Sequence, residues 1–292
     1  MKRLLFLLLL VSEGLRAQPT GGATDSAAAG PPRREFLPVG HLFEPLTLDP
    51  LEAQTYVSVL PVFATNGAPY NGTMVPFAFG LRKPFWRWHY RRFSAEFAVD
   101  VASFTQFEIY TDPVTNRQRR QLVNTDYRVG FWYNIRVGAN AWRVRLYHLS
   151  SHLGDDYMIR NGINFYMPNA VNYEVLDLTY SHERNGLRKY VGLGYGLRRP
   201  VERKRLSAQA GLYYRHLKNP AARSRLVGGV DLKVWEQTRF KPGVHGGVGV
   251  EFGRPDRHLT FLLEAYNGFQ PYSQFEGRHV SWVGVGFYFN PI

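Results

Sequence analysis

Trp142-Arg143-Val144-Arg145-Leu146-Tyr147-His148-Leu149-Ser150-Ser151 alternates strictly for most of its length. On an extended strand, side chains two apart share a face. Trp142, Val144, Leu146, His148 and Ser150 therefore lie on one side, and Arg143, Arg145 and Tyr147 on the other. A face with two arginines at mid-strand faces either water or a polar interior. The opposite face begins apolar and ends with a histidine and a serine together.

The same scheme recurs along the chain. Tyr127, Val129, Phe131, Tyr133 and Ile135 oppose Arg128, Gly130, Trp132 and Asn134. Phe93, Ala95, Phe97, Val99 and Val101 oppose Ser94, Glu96, Ala98 and Asp100, and Val244 to Phe252 places His245 and Glu251 on its glycine-rich side. From about Thr55 the chain is a series of such segments, each near ten residues long and separated by polar turns. Lipid-facing apolar residues alternating with polar lumen residues are the signature of a transmembrane barrel. A β-sandwich also alternates, so the content of the faces has to decide. Charges of both signs sit mid-strand, the other face is continuously apolar, and it often ends in aromatics suited to a bilayer interface. The expected fold is all-β, a closed antiparallel transmembrane β-barrel of about 12 strands over residues 55–292.

The strands are expected near 55–63, 75–83, 91–103, 121–135, 141–151, 172–182, 188–198, 205–216, 225–236, 243–253, 258–267 and 279–290. Loop lengths agree with this count. Short connections follow the fourth, sixth and tenth strands, and long ones follow the first, fifth and eleventh, as bacterial barrels require of periplasmic turns and outer loops. His148 and Ser150 then fall on the outside of the barrel, at the outer end of the fifth strand. The last segment, Val283 to Phe289, resembles the terminal strand by which such barrels are recognised for assembly. The barrel assembly machinery is therefore an expected partner.

Residues 1–17 read as a secretory signal peptide: Lys2 and Arg3, an apolar run from Leu4 to Val11, and a small residue at Ala17. Residues 18–34 are rich in Gly, Ala, Pro and Ser and are expected to be a disordered linker. Residues 35–54 are expected to be a periplasmic lead-in segment. The chain has 292 residues, a net charge of +13 and no cysteine, which excludes disulfides and thiolate metal sites. The basic residues are dispersed and no recognition helix or zinc motif occurs, so nucleic acid is not an expected partner. The expected location is integral to the bacterial outer membrane.

Asn124 to Gly130, Tyr147 to Tyr157 and Val171 to Glu174 resemble a family of bacterial proteins with an uncharacterised domain. That resemblance runs from about Phe36 to the C-terminus. It implies an outer-membrane barrel and brings no activity with it. The His-x-Ser spacing of His148 and Ser150 is also similar to outer-membrane phospholipase A and to the lipid A deacylase barrels. This second resemblance implies Ser150 as nucleophile, His148 as base and a third polar residue that fixes the imidazole. The sixth strand returns beside the fifth, so Glu174 and Asn172 share the required parity, and Glu174 lies closer to the membrane band. The chain departs from phospholipase A at Leu149, Ser151 and His152, and in the longer stretch before the third residue.

Several readings stay open from sequence. The outward pair serves either lipid-ester hydrolysis at the outer leaflet, with outer-membrane lipids and lipopolysaccharide as partners, or nothing chemical, in a structural barrel or narrow passive channel. Glu96, Asp100, Asp126, Arg128, Arg143, Arg145, Asp177, Asp231, Lys233, Glu251 and Glu264 either line a pore or fill the lumen with mixed-sign pairs. Both signs are well represented, which favours filling. Arg117, Arg119, Arg120, Arg198, Arg199, Arg203, Lys204 and Arg205 either hold lipopolysaccharide phosphates or form solvated loops. No cofactor is expected. His152, Asp155 and Asp156 carry groups suited to calcium, but beside Gly154 they read first as turn residues.

Overall fold

A computed structural model describes residues 32–164, 171–201, 203–216, 223–254, 257–272 and 274–290. The expected signal peptide and most of the expected linker lie outside the described residues. Arg33–Phe36 forms a short strand, β1, followed by β2 (Thr55–Thr65), β3 (Ala68–Pro69), β4 (Gly72–Met74), β5 (Phe77–His89), β6 (Ser94–Thr111), β7 (Gln118–Val137) and β8 (Asn140–Leu153). A helix, α1 (Asp155–Arg160), precedes β9 (Asn172–Arg184), β10 (Leu187–Gly196), β11 (Leu206–Arg215), β12 (Ser224–Trp235), β13 (Gly243–Arg254), β14 (Arg257–Phe269) and β15 (His279–Asn290).

Among the described residues, twelve long strands, β2 and β5 to β15, form a closed antiparallel barrel. Each pairs with its chain neighbour, and β15 returns to β2 to close the ring. The β2–β5 seam is short, with Tyr56 opposite Ala78 and Val57 opposite Phe77. β4 continues that side, pairing with both β2 and β6. Tight turns join strands at one end, as where Asn185 and Gly186 adopt φ of 52° and 78° between β9 and β10. Asn-Gly suits that turn because both central residues need positive φ. The other end carries the longer loops and α1.

The side chains follow the alternation. Val129, Phe131, Val144, Leu146, Leu193, Leu226, Val248, Leu263 and Val285 are exposed on the outside, whereas Glu96, Asp100, Asp126, Arg128, Arg143, Arg145, Asp231, Glu251 and Glu264 are buried inside. Apolar outside and charged inside is the inverse of a soluble domain, and it suits a hydrocarbon surround. No described helix is long and apolar enough to cross a membrane, so any crossing is made by the strands.

The segment expected as a lead-in enters the lumen from the turn end and fills its lower half. Phe43, Leu46, Leu48, Asp49, Leu51 and Glu52 are almost completely buried. Arg143 donates to both oxygens of Glu52 at 2.8 and 3.0 Å, Arg145 reaches it at 3.5 Å, and Arg82 lies 3.9 Å away. Lys233 on β12 donates to Asp49 at 3.0 Å. Main-chain carbonyls of this segment accept from the wall as well: Leu48 from His245, Pro45 from Arg188 and Leu51 from Arg128. Burial alone would raise the Glu52 carboxyl, but Arg143, Arg145 and Arg82 outweigh it and hold it below its ordinary range. The loop end is filled from above. Tyr157 of α1 packs on Phe275, Gln270 donates to Gln106, and Arg203 is buried against Tyr173.

Two outcomes follow from this interior. Glu52→Gln removes a charge that offsets buried arginines, which costs about 3–5 kcal/mol. Guanidinium unfolding of the detergent-folded protein measures it, and a loss below about 1 kcal/mol contradicts the plug's role. The second concerns His41, whose imidazole is pushed down from 6.5 to about 2 by burial and by Arg82, Arg87 and Lys83. Below pH 6.5 the unfolded chain takes up a proton that the folded chain refuses, so stability falls as pH drops. The slope is about 1.4 kcal/mol per pH unit from this group. Melts at a series of pH values below 6.5 should show His41→Gln losing that component, and an unchanged slope refutes it.

Candidate functional site

β8 and β9 run antiparallel with His148 opposite Glu174 and Ser150 opposite Asn172. The register puts all four on the outward face, continuing the apolar row of Val144 and Leu146 toward the loop end. On the other side of β8, Val129 stands opposite His148, and Tyr127, which is exposed, stands opposite Ser150. The row thus changes from aliphatic to aromatic and polar within two residues. That is the sequence of surfaces a strand presents as it leaves hydrocarbon for the bilayer interface.

His148 Nδ1 and Glu174 Oε1 are 3.1 Å apart. The imidazole and the carboxylate are both part-exposed, at 37% and 26% of their side-chain surface. Arg198, at the start of the β10–β11 loop, brings its Nε to 3.7 Å from the other oxygen of Glu174. Two main-chain hydrogen bonds fix that approach, from Glu174 N to the Arg198 carbonyl and from Leu197 N to the Glu174 carbonyl. Glu174 engages Nδ1, and among the described residues the second ring nitrogen of His148 has no hydrogen-bond partner. Among the described residues, no hydrogen bond joins the Ser150 hydroxyl to that ring. Neighbours on one strand face are roughly 6.5–7 Å apart at Cα, so both side chains must swing toward each other to meet.

The structure thus brings His148 and Glu174 into contact and sets Ser150 on the same face, with no hydrogen bond to either among the described residues. Asn172, the other candidate for the third position, is exposed opposite Ser150. Ser151 points into the lumen and is buried, its carbonyl accepting from Gln274. His152 is exposed against the Tyr127 ring at 5.9 Å, while Asp155 and Asp156 occupy the first turn of α1, where carboxylates favour the helix dipole. These three do not converge, and no group of three His, Asp or Glu side chains among the described residues is placed to hold a metal. Of the basic residues expected in loops, Arg119 and Arg120 instead lie on β7, where Arg119 pairs with Asp112 at 3.5 Å, and Arg203 turns inward to Glu276 at 2.7 Å. Arg203 is therefore not part of a solvated loop surface.

Residues 25–290 match the family described as "Protein of unknown function (DUF1207)". The chain belongs to that family. No curated protein sequence matches it. Among solved structures it is similar to outer membrane phospholipase A from Escherichia coli, with a TM-score of 0.55, 13% identity, and coverage of 85% of this chain and 93% of that one. It is also similar to the outer membrane phospholipase dimer of Salmonella typhi with bound calcium, with a TM-score of 0.54, 12% identity, and coverage of 82% and 91%. At such identity the likeness is one of fold. The barrel is built like those of outer-membrane proteins.

Replacing Glu174 by Gln leaves the barrel intact in this account. A part-exposed ion pair contributes about 0–1 kcal/mol, so the unfolding midpoint should hardly move. A loss of several kcal/mol would make Glu174 a structural residue and contradict its placement as an accessory to His148.

Proposed function

We propose that this protein is an integral outer-membrane barrel that hydrolyses lipid esters at the outer leaflet. Ser150 acts as nucleophile, His148 as general base and Glu174 as the residue that orients the imidazole. The observation that carries the reading is the cross-strand hydrogen bond between His148 and Glu174 on the outward face, two residues from a serine of the same parity. A carboxylate on Nδ1 holds the tautomer in which Nε2 accepts a proton. Ser150 Oγ gives its proton to His148 Nε2 as it attacks the ester carbonyl. The carbon–oxygen bond to the alcohol then breaks, and the alcohol leaves with that proton. Water, deprotonated by the same nitrogen, releases the fatty acid and restores the serine.

The position suits the substrate. An acyl ester at the bilayer interface lies level with the end of an apolar strand face, so lipid reaches Ser150 by lateral diffusion and needs no passage through the barrel. Outer-membrane phospholipids and lipopolysaccharide are the lipids present there. β15, with Val283, Val285 and Phe289 on its outer side, supports recognition by the machinery that inserts such barrels.

A second reading is favoured by the separation of Ser150 from His148 and by the contact of Arg198 with Glu174. In it, His148–Glu174–Arg198 is an interfacial ion-pair cluster, and the barrel is structural. The two readings differ in a single assay of fatty acid released from mixed micelles. On the hydrolytic reading, Ser150→Ala and His148→Ala each reduce turnover by about 10³-fold or more, and Glu174→Gln reduces it less. If Ser150→Ala releases fatty acid as fast as the unaltered chain, the hydrolytic reading falls and the structural one stands.

A further inference from the structure

The turn end of the barrel, opposite the end that carries His148, is rimmed with arginines. Arg33 and Arg34 open β1, Arg91 and Arg92 lie in the β5–β6 turn, and Arg184 ends β9. Arg223 precedes β12, and Arg254 and Arg257 stand directly opposite each other across the β13–β14 turn. All of them are exposed. Among the described residues, none forms an ion pair with a carboxylate. Of the acids at this end, Glu35 is engaged by His89 at 3.2 Å, and Glu183 lies 3.9 Å from Arg136. The loop end differs, because Asp112, Asp155, Asp156 and Glu236 stand among its cations.

Such a rim works against itself. Like charges placed opposite each other destabilise a strand pair, and no described acid offsets Arg254 and Arg257. An anion between neighbouring turns relieves that repulsion. Arginine is weakly hydrated, and its planar fork matches phosphate oxygens two at a time. Phosphate is therefore the anion that this rim suits best.

The height of the rim on the barrel identifies the source of that phosphate. Phe36 lies two residues past Arg34, Tyr90 and Phe93 bracket Arg91 and Arg92, and Phe252 lies two residues before Arg254. All four aromatics are exposed, and Phe36 packs on the exposed Trp86 with ring centroids 5.8 Å apart. Aromatics at the end of an apolar barrel face occupy the bilayer interface. Two residues of strand span roughly 7 Å, and a flexible arginine stem carries its charge toward the headgroups. The guanidinium groups thus stand at the level of headgroup phosphates in the leaflet that meets the turn end. Their distribution favours lipid over a docked protein. The arginines are spread from β1 through β9 to β14 around the ring, whereas a single protein partner would meet one side.

We infer that the turn end binds anionic phospholipids, its arginines drawing headgroups of net negative charge from the surrounding leaflet. A zwitterionic headgroup brings its own cation to the phosphate and offsets the rim less. The inference is independent of the hydrolytic reading, since the two share no residue and lie at opposite ends of the strands.

Tryptophan fluorescence reads this leaflet, because Trp86, Trp88 and Trp142 lie on the outward face toward the turn end, while Trp132 and Trp282 are buried. The full chain is folded into phosphatidylcholine vesicles that contain a minor share of either brominated phosphatidylglycerol or brominated phosphatidylcholine, whose bromines quench tryptophan on contact. Phosphatidylglycerol should associate about fivefold more strongly, the gain expected from one arginine near an anionic headgroup. The preference should fade in about 1 M sodium chloride, which screens charges beyond about 3 Å. A variant combining Arg33→Gln, Arg34→Gln, Arg91→Gln and Arg92→Gln should lose most of it, whereas Arg117→Gln with Arg120→Gln, at the loop end, should keep it. Heat-dependent gel mobility checks that each variant is folded. Should the fourfold variant fail to fold, the salt series on the unaltered chain decides. Equal quenching by the two lipids would leave the rim to a soluble acidic partner and overturn the inference. A preference that survives high salt or the four substitutions would overturn it as well.

Discussion

A single carboxylate, Glu52, sits among Arg143, Arg145 and Arg82 in the middle of the barrel, and the rest of the structure depends on how that contact came to be needed. Strands that turn valine, leucine and phenylalanine outward must turn their other residues inward, where water is scarce. Arginines brought together there repel one another and lose hydration unless acids meet them. Some acids come from the wall itself, as Asp100 does for Arg128 and Glu251 for Arg215 and Arg225. Arg82 of β5 and Arg143 of β8 find theirs on a segment outside the barrel sequence, and Arg145 is shared between that segment and Asp177 of the wall. Threading that segment through the lumen neutralises them, and its leucines and Phe43 fill the remaining space.

Two consequences separate the inside of this molecule from its outside. A lumen filled from below by residues 41–54 and from above by α1 and the β14–β15 loop is committed to holding shape. The outward face carries no such burden, because hydrocarbon makes no specific demand on the side chains it touches. A histidine, a glutamate and a serine gathered there are not needed to stabilise the interior. Their cluster stands where aliphatic residues give way to aromatic and polar ones, the level that the proposed function assigns to lipid esters.

Most of the barrel was legible because its determinant is local. Period-two alternation fixes strand and face together, so Arg143, Arg145, Glu96, Glu251 and Glu264 could be placed inside from parity, and His148 on one outward face with Glu174 or Asn172 of the neighbouring strand, Glu174 being preferred. The plug was not legible in that way. Residues 41–54 have no period, and their partners lie on β5, β8, β12 and β13, far away in sequence. A trace of it was present, since Arg82 and Arg143 face inward without an acid of the wall to pair them, while Asp49 and Glu52 stand among leucines outside any strand. Helix α1 was likewise hidden in a long loop, and Arg203 read as a loop cation although Tyr173 and Glu276 draw it inside. At the candidate site, parity could bring His148 and Ser150 to one face, but the distance between their reacting atoms depends on rotamers that no alternation encodes.

The central claim is that the outward cluster is reactive and the filled interior is not. It is tested most directly by treating the full chain, folded in lipid vesicles, with a fluorophosphonate probe and locating the adduct by mass spectrometry. The account predicts one modified residue, Ser150, and no modification when His148 is replaced by alanine. An unlabelled Ser150 in the folded protein, or labelling that persists without His148, would contradict it.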